Sequence, residues 1–403
     1  MRVVLLGEFR ADRVVPPLRS AGADVVVLGF ADLGSFLGNG VVCGRLPARL
    51  GERALLRLLD DHGADVAVPN MGCPGQEQFL PVYASAAARW RGAGRAMPVH
   101  PEGFATLASD KVALHRVAGE RGWPVPRGRV CDGPGAVRGA VRELGLPVLV
   151  KEARSEFHAG RHHVRDGGGS DRVCAEAAFP VLVQEAVVGE EFGVEFLSGP
   201  GSTVAWPVAS LGRLDEECAP GRRVRVAPAV LPARARSELD AVVTDLVRRF
   251  GPRGPWQMDL AVTDDGRLRV IELNGRLGGV SNMSWAGTGL DPHAAHARAV
   301  LGRPPEDAPA RRVALELPVP DDAVLPPGPP GTELLPFPGS PTNPAPGVSG
   351  LRRPVLGVPA ELEGAARDWL ISLAPGTLLN TPHEAVAQLA CGAAALRLMR
   401  EGW

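Results

Sequence analysis

Lysine is almost missing from this sequence. Of 44 lysine and arginine residues in a chain of 403, only Lys111 and Lys151 are lysine. A chain biased to arginine that keeps lysine at two places suggests sites needing a compact point charge on a flexible stem, as phosphate sites do. Chance survival is the plainer alternative. Cysteine is also sparse. Cys43, Cys73, Cys131, Cys174, Cys218 and Cys391 are scattered and form no CxxC, and the chain is too long for a disulfide-stapled minidomain. They are read as reduced, buried thiols. Net charge is −1, which argues against a nucleic-acid binder of the bulk electrostatic kind. No apolar run is long enough to span a membrane, and Met1–Phe9 runs into a strand pattern rather than a leader. A cytoplasmic location is the expectation. With 45% hydrophobic residues, the chain can build two or three domains with large cores.

Strand-like runs at Arg2–Leu6, Ala23–Leu28 and Ala64–Pro69 alternate with helical stretches ending at Ser20 and covering Glu52–His62. That alternation predicts a parallel, doubly wound sheet, a Rossmann-like α/β domain over residues 1–100. It lacks GxGxxG after the first strand, so it is not read as a dinucleotide site.

The most informative stretch is Trp256–Gly279. Two alternating runs flank Asp265-Gly266, a two-residue pair suited to a type I′ hairpin. With that turn, Leu260 faces Ile271 and Met258 faces Leu273 on an apolar side. On the other side Asp259 lies opposite Glu272, and Gln257 opposite Asn274. A bulge or a three-residue turn would break this register. Like charges at directly opposed positions repel, so the pair calls for a cation. With Asn274 the ligand set is all oxygen, which suits Mg²⁺. The bland alternative is a hairpin whose polar face meets solvent. Arg276 follows, then Gly278-Gly279, and arginine offers fork-shaped recognition of phosphate or carboxylate.

Asp259 followed by Glu272-Leu273-Asn274-Gly275-Arg276 resembles the metal-binding end of the ATP-grasp fold, whose usual form is E-x-N-x-R preceded by an acidic residue on the partner strand. The resemblance extends over residues 100–305. It implies a fold of mixed α/β and α+β class: the N-terminal domain, a two-lobed ATP-grasp domain over 101–305, and a small C-terminal α+β accessory or lid domain over 306–403. By resemblance, Lys111 in Ser109-Asp110-Lys111 reaches a nucleotide phosphate, and Lys151 at the end of Leu146–Lys151 contacts the α/β phosphates. Glu185, Ala186, Val187 and Val188 become the hinge that reads adenine, and Glu191 holds the ribose hydroxyls. Asp259, Glu272 and Asn274 become Mg²⁺ ligands, with Mn²⁺ as an alternative, and Arg276 the group that holds the substrate carboxylate. Glu217, Gly278 and Gly279 are carried over as substrate residues.

Each motif has a plainer reading. Asp110-Lys111 is also a helix N-terminus, and Val181–Glu195 also a surface hairpin with acidic tips. Glu152–Val164, where the family has a glycine-rich loop, holds only Gly160, with Arg154, His158, Arg161, His162 and His163. Its arginines and N–H groups could cover phosphates, and its histidines could hold a metal. The glycine triplet Gly167–Gly169 reads as a turn. Ala233–Phe250 is an amphipathic helix of plain core type. His293 and His296 read as solvent-facing or capping groups on a helix opened by Pro292. Pro318–Pro330 is a proline-rich linker, and Pro382–Leu398 a final helix. The implied activity is an ATP-dependent carboxylate–amine ligase acting through an acyl phosphate on small acid and amine substrates, with a homodimer as one possible assembly. The rivals are a bicarbonate-using enzyme on the same fold and a non-catalytic nucleotide-binding regulator.

Overall fold

The computed structural model describes residues 1–403 apart from 31–36, 38–39, 48, 73–75, 91–93, 157–159, 215–221, 337–349 and 402–403. The chain opens with β1 (Arg2–Leu6), α1 (Ala11–Ser20), β2 (Asp24–Gly29), β3 (Val42–Arg45), α2 (Glu52–Asp61) and β4 (Val66–Pro69). The strands form a parallel sheet in the order β3-β2-β1-β4. Val3–Leu6 are fully buried, as an apolar strand covered on both faces must be. The chain winds one way from β1 and returns on its other side at β4. The crevice at the carboxyl ends of β1 and β4 is therefore the switch point where such sheets bind ligands.

A short 3₁₀ turn, Glu77–Phe79, leads into α3 (Leu80–Arg89), α4 (Glu102–Ser109) and α5 (Lys111–Arg121). The Asp110 side chain caps α5, accepting from the N–H groups of Val112 and Ala113 at 3.0 and 2.9 Å. The plain helix-start reading of Asp110-Lys111 is thus correct for the aspartate, while Lys111 points to another task. A small lobe follows: β5 (Gly128–Cys131), α6 (Pro134–Leu144), β6 (Val148–Glu152), β7 (Arg161–Val164), α7 (Gly167–Glu176) and β8 (Val181–Glu185), with sheet order β5-β8-β6-β7. The glycine triplet is not a turn. It begins α7, where Asp166 accepts from Gly169 N–H at 2.7 Å; the cap holds the first turn that glycine alone favours poorly.

The second lobe holds β9 (Gly189–Gly199), β10 (Ser202–Ala205), β11 (Ala209–Leu214), β12 (Arg225–Ala227), α8 (Ala233–Phe250), β13 (Gly254–Thr263), β14 (Leu268–Asn274), α9 (Ser281–Thr288) and α10 (Pro292–Val300). Beyond it come β15 (Arg312–Glu316), β16 (Val319–Pro320), β17 (Glu333–Leu335), β18 (Leu351–Arg352), β19 (Val355–Pro359), α11 (Glu363–Ser372) and α12 (Pro382–Arg400). One sheet runs β14-β13-β9-β11-β12-β15-β19-β17. Helix α8 buries Leu239, Val242 and Leu246 in the largest core, with Trp256, Met258 and Leu260 from β13. Helices α11 and α12 cover the far end of the sheet, packing Leu370, Leu389 and Leu396 on Val226, Val313 and Leu315.

Two expectations are corrected here. His293 and His296 are 2% and 4% exposed, because α10 packs against α1 and the Phe9 ring meets His293 edge-on. That neighbour is 284 positions away in the chain (293 − 9) and invisible to local pattern. Of the cysteines, Cys131 is buried, Cys174 partly so, and Cys43 and Cys391 are exposed; all four are free thiols. Cys73 and Cys218 lie outside the described residues.

Candidate active site

The β13–β14 hairpin opposes Asp259 to Glu272, Gln257 to Asn274 and Met258 to Leu273. The route to that register differs from the sequence expectation. The turn has three residues, Asp264-Asp265-Gly266, with Gly266 N–H donating to Thr263 and Gly266 at φ 76°, a left-handed conformation glycine adopts without strain. That shifts the pairing by one, so Leu260 faces Val270 rather than Ile271. A bulge between Asp259 and Leu260 shifts it back. The two offsets cancel, and Ile271, the extra residue, turns its carbonyl to Lys151 Nζ at 3.4 Å.

Lys111 reaches Glu272 as an ion pair, Nζ to Oε1 2.9 Å, and donates to the Ser155 carbonyl. Burial works against both charges of the pair. Mutual attraction wins: burial alone raises Glu272, yet Lys111, with Lys151 and Arg276, holds it down at about 2. The Lys111 ammonium, lowered by burial, ends above its usual value because of Glu272. Lys151 is fully buried and drops to about 8 despite Glu272. Asp259 behaves in the opposite way. Burial, then the Glu272 and Glu191 charges, push its carboxyl up to about 7. It accepts from Gln257 Nε2 at 2.6 Å and from Asn274 Nδ2 at 3.1 Å.

The Arg276 guanidinium meets Glu77 of the 3₁₀ turn, Nε to Oε1 2.7 Å. Glu77 is buried, and burial lifts it to about 7 against the pull of Arg276. Its N–H donates to Glu156 Oε1 at 2.9 Å. The loop after β6 is therefore tied to the N-terminal domain, and Lys111 N–H fastens it again at the Ala153 carbonyl, 2.8 Å. No local signal marked Glu77; only the fold brings it here.

Gly278 packs where a side chain would not fit. A β-carbon there would lie 2.2 Å from Gln257 Oε1. The loop is held by Glu195, wholly buried on β9, which accepts from Gly278 N–H at 3.2 Å, from Ser284 Oγ at 2.7 Å, and from Ser281 Oγ. Burial raises the Glu195 carboxyl, and these three donors oppose the rise. Gly279 lies beside Arg225.

The predicted hinge joins β8 to β9. Glu185 turns outward to Arg127 at 2.6 Å, while Ala186 and Val187 are partly buried and Val188 is 50% exposed. Glu191 pairs with Arg223 at 2.7 Å. Glu217 lies outside the described residues, as does His158. Among the described residues no group of three or more His, Cys, Asp or Glu is arranged to hold a metal, so the loop histidines make no such cluster. The protein thus offers two opposed carboxylates and the Asn274 amide. Mg²⁺ prefers this: one or two carboxylates, with phosphate and water completing an octahedron. Burial first, then the Glu272 and Glu191 charges, raise the Asp259 carboxyl, and a divalent ion beside it would favour the ionised form.

No family model matches the chain. A D-alanine–D-alanine ligase of Aromatoleum aromaticum is 32% identical over 173 residues, 42% of this chain and 56% of that protein. The chain spans little more than half the length of this and the other D-alanine–D-alanine ligases it matches. Among solved structures, an ADP complex of N5-carboxyaminoimidazole ribonucleotide synthetase superposes with a TM-score of 0.70 at 13% identity, covering 99% of this chain and 97% of that one. An L-amino acid ligase from Bacillus licheniformis gives 0.66 at 19% identity, covering 91% and 96%. At such identities the structural likeness speaks for the fold.

Proposed function

We propose, from the premise that this chain belongs to the ATP-grasp superfamily, that it is an ATP-dependent carboxylate–amine ligase working through an acyl phosphate. The observation carrying this reading is the convergence of Asp259, Glu272 and Asn274 on one hairpin with Lys111 and Lys151, beside Arg276. Asp259, Glu272 and Asn274 would hold Mg²⁺, which supplies positive charge to the transferring phosphoryl group. Lys111 and Lys151 bring two ammonium groups to the same place and add to that stabilisation. Glu191 and the backbone from Glu185 to Val188 would take the ribose and adenine.

Arg276 holds the substrate carboxylate, with Glu77 as the ion-pair partner of its guanidinium. The carboxylate oxygen attacks the γ-phosphorus, the bond to the β-phosphate oxygen breaks, and ADP leaves. The amine then attacks the acyl carbon; phosphate departs and the amine nitrogen loses a proton. Gly279 would let the backbone approach the acyl group, while Gly278 makes room for Gln257.

Amino acids or small peptide-like acids and amines are the proposed substrates, as the names of the D-alanine–D-alanine ligase and the L-amino acid ligase suggest. A second reading, a bicarbonate-using enzyme, draws on the likeness to a biotin carboxylase from Campylobacter jejuni. The test is nucleotide turnover with Mg²⁺ against paired amino acids and against bicarbonate. ADP and phosphate released only with a particular acid and amine support the ligase. Release that depends on bicarbonate favours the second reading, and AMP with pyrophosphate would sink the acyl-phosphate mechanism.

A further inference from the structure

Three arginines, Arg223, Arg225 and Arg353, cluster beside the site, with Arg225 at Gly279. Arg223 reaches back to Glu191 on β9 at 2.7 Å and to the Leu211 carbonyl at 3.5 Å. Arg225 stands directly opposite Glu316 in the β12–β15 pair and meets its carboxylate at 3.2 Å. Arg353, from the connection between β18 and β19, ends on the same Glu316 oxygen. Arg225 Nη1 lies 3.7 Å from where a side chain on Gly279 would start. The cluster therefore runs from Glu191, beside the carboxylate pair, to the glycine pair.

Arg223 and Arg353 are 8% and 6% exposed. Buried charges are normally fully paired, because an unpaired donor keeps its whole desolvation cost. Among the described residues, Arg223 Nε and Nη2 have no hydrogen-bond acceptor. The cations also repel one another: Arg353 falls to about 10 through burial, then through Arg225 and Arg223, with Glu316 opposing. A guanidinium presents its donors as a planar fork matched to two oxygens of one anion.

We propose that Arg223, Arg225 and Arg353 form a receptor for an anionic group, a carboxylate or a phosphate, carried by the amine-supplying substrate. The word substrate rests on the ligase reading; the receptor itself does not. An oxyanion there takes up the open donors of Arg223 and relieves the repulsion among the three cations. It also places the amine nitrogen of an amino acid, a few bonds from its anionic group, on the Gly279 side of the acyl carbon.

The test is a melting titration of the full chain at constant ionic strength, with chloride as the baseline, and with inorganic phosphate or malonate as the probe. The titration is run on the free protein and on protein saturated with Mg·ADP. A saturable upward shift with either probe is expected in both states. In Arg223→Met and Arg353→Met the half-saturating concentration should rise tenfold or more. Arg225→Lys keeps the charge against Glu316 and loses the fork, so it should weaken binding less; it serves if the methionine variants do not fold. A phosphate-selective shift indicates a phosphorylated amine, and a malonate-selective shift an amine bearing a carboxylate. Chloride working equally well, variants that titrate like the parent, or abolition of the shift by Mg·ADP overturns the receptor. A positive titration in a protein with no turnover sinks the ligase reading and leaves the receptor standing.

Discussion

Glu77 and Arg276 form an ion pair of 2.7 Å between parts of the chain that share no strand or helix. One comes from the N-terminal domain, the other from the end of the hairpin. The guanidinium that would hold the substrate carboxylate thus has an ion-pair partner from outside its own lobe. Glu77→Gln keeps the shape and removes the charge. The acid substrate should bind about tenfold less well, corresponding to about 1.4 kcal/mol, with nucleotide affinity nearly unchanged. Steady-state ADP release at varied acid and varied ATP measures both, and equal losses for the two would refute the assignment.

Gly278→Ala should destabilise the fold. Its new methyl would sit 2.2 Å from Gln257 Oε1, and Gln257 cannot simply swing away because its amide donates to Asp259. Overpacking of this kind costs about 1–3 kcal/mol. Urea unfolding at neutral pH gives the value, and an unchanged midpoint would mean the loop relaxes freely.

Asp259 and Glu77 are both raised to about 7. For a raised carboxyl the folded state binds a proton that the unfolded state has lost. Its stabilising effect is complete below the ordinary carboxyl range near 4.5 and fades as pH climbs toward 7. The melting midpoint should therefore fall between pH 5 and 8. Added Mg²⁺ should raise it more at pH 8, where Asp259 is ionised, than at pH 5. Asp259→Asn should flatten both trends. A Mg²⁺ effect that is the same at both pH values would remove Asp259 from the metal site.

Glu272 has the reverse sign. Lys111 and the neighbouring cations hold it at about 2, so its contribution is present above the ordinary carboxyl range and is lost as pH falls toward 2. Lys111→Met should make the loss of stability in acid shallower. The same change should weaken nucleotide binding by about 1.5–3 kcal/mol, the usual range for hydrogen bonds to charged groups. Calorimetric titration with ADP, beside acid unfolding followed by circular dichroism, tests the two halves separately.

Strand and helix periodicity made the doubly wound sheet readable, and α8 matched its apolar stripe from Ala233 to Phe250. The opposition of Asp259 to Glu272 was legible for a partly accidental reason: a three-residue turn and a bulge offset each other, and neither has a sharp sequence signature. What stayed hidden was non-local. Glu77, the buried His293 and the Glu195 clasp on Gly278 take their roles from partners roughly 80 to 280 positions away, and no window on the chain contains both members. Nothing local in the sequence sets Arg223 apart, and its tie to Glu191 exists only because the sheet brings β9 and the start of β12 close.

The proline-rich stretch after β16 looks like a place to cut the chain, and the sheet says otherwise. Strands β15 and β19 extend the ladder that begins at the β13–β14 hairpin, with Arg225, Val226 and Ala227 of β12 paired to Glu316, Leu315 and Ala314. A protein ended at residue 305 would expose the full edge of β12 and the apolar row of Val224 and Val226, an invitation to edge-to-edge aggregation. The last hundred residues therefore act as a keel: by extending the sheet through β15 and β19 they give the hairpin a broad body to stand on.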